Sequence, residues 1–262
     1  MRHSVGEARN QACPDGELQR WVRGVGSRRG KARYRLFCFP FAGGGASAYR
    51  EFARKFPDEI EVCPVQLPGR EDRLGEAPLT SLKELVDRIV PAVTAHREIP
   101  YAFFGHSMGS LISFELTRRL AQDGFPLPRQ LFVSAHRAPH LEDPEPPLYD
   151  LPQDEFVENV KRFSATPDGV FLDPELREIF LPILRADFTV CDTYVYEPGR
   201  LMPCPITVLG GEGDDTVSAA ELDAWRKHTS GKFSTQLFPG GHFYLRGAEE
   251  ALGERVKSEL IS

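Results

Sequence analysis

"YAFFGHSMGSLISFEL", residues 101–116, decides how the rest of the chain is read. A strand-like run, Tyr101 to Phe104, enters Gly105-His106-Ser107-Met108-Gly109, and a helical pattern begins at once. A serine held between two glycines where a strand turns into a helix sits in a strained corner, its hydroxyl exposed above the sheet. The glycines let strand and helix approach closely. The next amide, that of Met108, lies at a helix N-terminus, where it favours developing negative charge. Ser107 is therefore the candidate nucleophile.

Outward from that turn, β-like and helix-like runs alternate. "YRLFCF" (34–39), "IEVCPVQL" (60–67), "YAFF", "QLFVSA" (130–135), "PITVLGG" (205–211) and "FSTQLF" (233–238) read as strands. Helices are expected over 47–56, 79–96, 107–122, 219–229 and about 247–260. In 79–96 the apolar residues fall at 79, 82, 85, 86, 89, 90 and 93, a helical stripe. This order predicts an α/β fold with a mostly parallel sheet covered on both faces. Residues 138–200 break the rhythm. They open with prolines and acids, carry the helical stretches "DEFVENVKRF" and "DPELREIFLPILRADF", and read as a helical lid or pocket wall inserted between two strands.

The chain has 262 residues and a formal net charge of −6, which gives no reason to expect nucleic acid or an anionic membrane as partner. No signal-peptide core and no apolar run near the roughly 18 residues of a membrane span is present, so the expected location is cytoplasmic. The cysteines lack metal-ligand spacing, and Cys38 and Cys63 read as buried free thiols. Residues 1–33 are richer in basic than acidic residues and read as a largely flexible extension, 1–18 disordered and 18–25 a short edge strand anchored by Trp21. The domain proper is 34–262.

A serine hydroxyl needs a base, and the base an orienting carboxylate. His242 lies in "FPGGHFYL" (238–245), a glycine turn directly after the last strand. His136, after the strand at 130–135, is its rival. His106 reads as a pocket residue, and His3, His96, His140 and His228 as solvated. The acid is sought after the strand at 205–211, where Glu212, Asp214 and Asp215 stand. Asp214 fits the spacing G-x-x-D-x-x-V. "FCFPFAGGGASAY" (37–49) ends a strand in a glycine loop whose Ala42 amide could join that of Met108 around an oxyanion. No Lys-Ser/Thr follows the glycines, so a phosphate-binding loop is disfavoured.

With these pieces in place, the sequence resembles the type II thioesterases, free-standing α/β-hydrolases that accompany polyketide and nonribosomal peptide synthases. The carriers are "LFCFPFAGGGASAYR", "VQLPGREDRL", "FFGHSMGSLISFEL", "SAHRAP", "LRADF" with Tyr194, "VLGGEGDDTVS" and "GGHFYL", spread over residues 34 to about 258. The order serine, aspartate, histidine is that of α/β-hydrolases. The resemblance implies Ser107 as nucleophile, His242 as base, Asp214 as orienting acid, and Ala42 and Met108 as oxyanion donors. It further implies a lid over a channel for the phosphopantetheine of carrier proteins, with no cofactor and no metal. A monomer is expected. Phe41 stands where the family usually carries His or Tyr, and Asp215 where proline is common. The competing readings are an oxygen-ester hydrolase with the same residues and a carrier-binding module without catalysis.

Overall fold

The computed structural model describes residues 15–163 and 168–261, and the expectation of disorder over 1–18 falls mostly outside them. The elements in chain order are α1 (Asp15–Trp21), β1 (Tyr34–Phe39), α2 (Arg50–Ala53), β2 (Ile60–Pro64), α3 (Leu82–Thr94), β3 (Tyr101–His106), α4 (Met108–Gln122), β4 (Leu131–Ser134), α5 (Gln153–Phe163), α6 (Asp168–Leu172), α7 (Pro174–Asp192), β5 (Ile206–Gly211), α8 (Ala219–Asp223), β6 (Phe233–Phe238) and α9 (Glu249–Leu260). The strands form one sheet in the order β2-β1-β3-β4-β5-β6, every neighbouring pair parallel. This is the α/β-hydrolase architecture the sequence predicts.

Both faces of the sheet are covered, which is why its strands read as apolar runs rather than alternating ones. Phe37 and Phe39 of β1 pack with Leu85, Ile89 and Val93 of α3 and with Leu111 and Leu120 of α4. Leu36 and Cys38 face the other way, toward Phe52 of α2 and Leu252 and Val256 of α9. Local chemistry starts several helices. Ser81 caps α3 by accepting from the Glu84 amide, Asp173 accepts from two amides of α7 ahead of Pro174, and Ser218 with Glu221 closes a capping box on α8. Cys38 and Cys63 are buried free thiols, as expected.

The N-terminal segment differs from its reading. Asp15–Trp21 is a helix, and only Val22 pairs as a strand would, in an isolated antiparallel bridge to Val65. Nor is 15–33 a free extension. Trp21 and Val22 fill the α3 face of the core, the Arg73 guanidinium lies 4.2 Å from the Trp21 ring centroid, and Arg28 donates to the carbonyl of Phe56. Burial of a tryptophan and a cation–π contact outweigh the polar composition of the stretch.

In this strand order the chain leaves β1 for β2 and returns to β3, so β1 and β3 flank the switch point where α/β sheets bind ligands. Phe39 of β1 is in register with Gly105 of β3, and His106 with Ser134 of β4. The glycine loop after β1 and the serine turn after β3 thus emerge side by side. The segment between β4 and β5 carries α5, α6 and α7. Its own cluster, with Phe156, Val160, Leu184 and Phe188, closes onto Ala42 of the glycine loop.

Candidate active site

Ser107 has φ 53° and ψ −121°, a conformation L-residues avoid. The surroundings over-determine it. A Cβ on Gly105 would come within 2.2 Å of the Gly109 carbonyl oxygen, and one on Gly109 within 2.1 Å of the Phe39 carbonyl oxygen. Only glycines let strand and helix pass this close. The Ser107 amide donates to the Ser134 carbonyl at 2.8 Å, and the Ser110 hydroxyl donates to the Gly105 carbonyl at 2.9 Å. The turn is pinned from both sides while the Ser107 side chain faces a cavity of about 600 Å³.

That cavity is also lined by Ala42, His136, Thr216 and His242. The loops after β5 and β6 are laced together, the Glu212 amide donating to the Phe238 carbonyl and the Gly213 amide to the Gly240 carbonyl, each at 2.8 Å. This brings His242 Nδ1 to 3.0 Å from Asp214 Oδ2. With Nδ1–H donating to the carboxylate, Nε2 is left as the basic nitrogen. The Asp214 carboxylate is fully buried, and its other oxygen accepts from the Thr216 amide at 2.9 Å and the Thr216 hydroxyl at 2.7 Å. Burial pushes its pKa up, but the bonds from His242 and Thr216 win and hold it below the ordinary carboxylate value. Asp215, one residue on, is exposed.

The other histidines have different places. His136 lines the cavity, but its Nδ1 bonds the Arg137 carbonyl at 2.7 Å, and burial lowers its pKa to about 4. Among the described residues no carboxylate bonds its ring. His106 and Phe41, expected on the pocket wall, are not among the residues lining the cavity. Both are buried beneath it, in edge contact with each other at 5.8 Å, and Phe41 also meets Phe243. His106 Nδ1 turns away to Ser134 Oγ at 2.8 Å, which in turn meets the Tyr244 hydroxyl at 2.7 Å. Burial above all, then the nearby His242, pushes the His106 pKa well below the ordinary histidine value. His140 and His228 are not the solvated pair their positions suggest. His140 Nδ1 lies 2.8 Å from His228 Nε2, and the aromatic rings of Phe114, Trp225 and Tyr196 surround His228.

Four amides of the glycine loop are engaged within the protein. Gly43 donates to Asp187 Oδ2 at 2.7 Å, Gly44 to the Phe41 carbonyl at 2.8 Å, Ala46 to Gln66 Oε1 at 2.9 Å and Ser47 to Glu71 Oε1 at 3.1 Å. Among the described residues the Phe41, Ala42, Gly45 and Met108 amides have no such acceptor, and of the three in the loop Ala42 is the one that lines the cavity with Ser107. Thr216, Asp187 and Arg70 are the working neighbours that sequence reasoning did not single out. Thr216 lies two residues past Asp214, the reach of an Asx-type turn, which is a signal available in the sequence. Asp187 and Gly43 are 144 residues apart, and nothing local joins them. Among the described residues no cluster of three or more His, Cys, Asp or Glu could hold a metal ion, and no helix is long and apolar enough to cross a membrane.

Known proteins resemble this chain over most of its length. The thioesterase domain family model matches residues 34–260. The chain is 46% identical to the gramicidin S biosynthesis protein GrsT of Aneurinibacillus migulanus over 229 residues, 87% of this chain and 90% of that protein. It is 38% identical to the thioesterase PikA5 of Streptomyces venezuelae, over 87% and 81% of the two chains. Among solved structures, the type II thioesterase BorB of the borrelidin cluster superposes with a TM-score of 0.82 at 34% identity, covering 93% of this chain and 97% of that one. RedJ, a thioesterase of the prodiginine pathway of Streptomyces coelicolor, gives 0.80 at 37% identity, covering 87% and 86%. The match of the family model over residues 34–260 and these relatives, on a sheet that brings a strained serine and a histidine–aspartate pair to one cavity, identify the chain as a member of the thioesterase domain family, hydrolases of acyl thioesters.

Proposed function

We propose that the protein removes acyl groups from the phosphopantetheine arm of carrier proteins, clearing stalled or aberrant chains from a polyketide or nonribosomal peptide synthase. The observation that carries the chemistry is the convergence of Ser107 and His242 on one cavity, with Nδ1 of His242 on a buried aspartate. The relatives support the synthase setting: GrsT is named for gramicidin S biosynthesis and BorB comes from the borrelidin cluster. In this reading carrier proteins are the partners, phosphopantetheine belongs to the substrate, no resident cofactor takes part, and the work is done in the cytoplasm.

His242 Nε2 takes the proton of the Ser107 hydroxyl as it attacks the thioester carbonyl. Asp214 holds the ring in the needed tautomer and stabilises the imidazolium that forms. The carbonyl oxygen, now an anion, sits between the amides of Ala42 and Met108. Collapse expels the pantetheine thiol, whose reference pKa of about 8.5 makes it a far better leaving group than an amine. His242 then deprotonates water, which attacks the acyl-serine, releases the free acid and restores Ser107. His136, neutral and on the cavity wall, shapes the pocket without competing as base. The segment from 138 to 200 acts as the lid.

The test is acyl release from an acyl-carrier protein by wild type and Ser107→Ala, with the same acyl chains offered as oxygen esters. Turnover of the carrier thioester, abolished in the alanine variant, is the expected result. Fast ester hydrolysis with an idle carrier would replace this reading by the esterase one. Carrier binding without release of either acyl group would leave only a binding module.

A further inference from the structure

Asp187 lies on α7, in the segment that covers the cavity, yet its carboxylate reaches across to the glycine loop. Its Oδ2 accepts from the Gly43 amide at 2.7 Å and from Arg70 Nη1 at 2.6 Å, and its Oδ1 from Arg70 Nη2 at 2.8 Å. Arg70 also donates to backbone, Nη1 to the Gly44 carbonyl at 3.1 Å and Nε to the Pro68 carbonyl at 3.3 Å. The two side chains are 5% and 1% exposed. A buried ion pair is weak evidence of stabilisation, because two apolar residues of similar volume often do as well. What apolar residues cannot do is hold a loop by its amides and carbonyls. Three of the pair's contacts fall on the loop or on the turn facing it. The next residue, Glu71, fills the space a side chain at position 45 would need, 2.3 Å from such a Cβ.

We infer that Asp187 and Arg70 are the positioning residues of the oxyanion pocket. By taking the Gly43 amide, Asp187 fixes the peptide plane that follows Ala42 and leaves the Ala42 amide as the loop's donor to the substrate. Because Asp187 belongs to α7, the pair ties the base of the cover to the oxyanion pocket. The inference rests on the reading that the Ala42 and Met108 amides hold the oxyanion.

The experiment uses the full chain, with a p-nitrophenyl ester and an N-acetylcysteamine thioester as substrates. Two inhibitors accompany them: an acyl trifluoromethyl ketone, which becomes a tetrahedral oxyanion on Ser107, and the matching acyl thioether, which stays neutral. Removing an oxyanion donor outright costs about 10²–10³ in kcat. Asp187→Asn keeps an acceptor for Gly43 but loses the charge and the paired fork, so a fall of about 30-fold in kcat is expected. KM should stay within about threefold, and ketone affinity should fall with kcat while thioether affinity holds. Arg70→Lys, which retains charge without the fork, should show the same split in weaker form. An unchanged kcat, or equal weakening of both inhibitors, would overturn the inference. Should Asp187→Asn not fold, the apolar pair Asp187→Leu/Arg70→Met removes both charges. Folding restored with kcat still low supports positioning, and kcat restored as well defeats it. A wild type that cleaves the ester but ignores acyl-carrier protein would refute only the carrier reading. A wild type inert to the ester and blind to the ketone sinks both.

Discussion

Replacing Asp214 by Asn is the sharpest test of the site, because the structure dictates how the amide must sit. Thr216 presents two donors, its amide at 2.9 Å and its hydroxyl at 2.7 Å, to one oxygen of the carboxylate. In Asp214→Asn the carbonyl oxygen must stay there, which turns the NH₂ toward His242 Nδ1, now 3.0 Å from Oδ2. Two donors cannot face each other, so the ring is driven to the tautomer with hydrogen on Nε2, and the base is lost. The electrostatic loss is comparable in size. An imidazolium–carboxylate attraction across 3.0 Å at an effective dielectric near 20 is worth about 5.5 kcal/mol, or roughly four decades of rate. A fall of about 10⁴ in kcat is thus expected, matching the scale seen when a triad's acid is made neutral. Folding should survive, since the Thr216 donors keep their acceptor. The assay is steady-state acyl release, with thermal unfolding as control and Asp215→Asn as comparison. Retention of more than a tenth of wild-type kcat, or an equal loss in Asp215→Asn, would refute the assignment of Asp214.

Two further expectations concern the fold. Gly109→Ala places a Cβ 2.1 Å from the Phe39 carbonyl oxygen, which is backbone and cannot step aside, while Gly75→Ala meets nothing within 4 Å. The first should cost on the order of 3 kcal/mol or more and lower Tm by about 10 °C, the second almost nothing; thermal scans that fail to separate the two variants would disprove the close-approach argument. His228, buried beside His140, Arg118 and Lys227, has its pKa lowered to about 4, first by burial and then by those neighbours. A folded pKa below the unfolded value of about 6.5 means stability is full above that value and declines as pH falls toward about 4. His228→Phe should flatten that part of a Tm-against-pH curve, and an unchanged slope would clear His228 of the effect.

Much of this was legible before any coordinates. The strand–serine–helix turn is local: Gly105 and Gly109 must be small because strand and helix cross there, and the spacing is written in five consecutive residues. The apolar runs predicted a doubly covered sheet because parallel strands bury both faces. His242 and Asp214 could be named because each follows a strand, and parallel strands deliver their following loops to one edge. Reading failed where side chains compete for the same surroundings. Trp21 turned a polar-looking extension into a packed helix, and His140 with His228 exchanged solvent for each other and a ring of aromatics. His106 and Phe41 sank below the cavity because Ser134, Tyr244 and Phe243 offered them partners there.

The sequence by itself determined the fold class, the serine turn and the short list of histidines and acids, since these depend on periodicity and on residues a few positions apart. Only the tertiary structure decided that Asp214 rather than Asp215 meets His242, and that Asp187 reaches the Gly43 amide across 144 residues. Those outcomes depend on directions of side chains brought together by distant strands. No local rule carries that information.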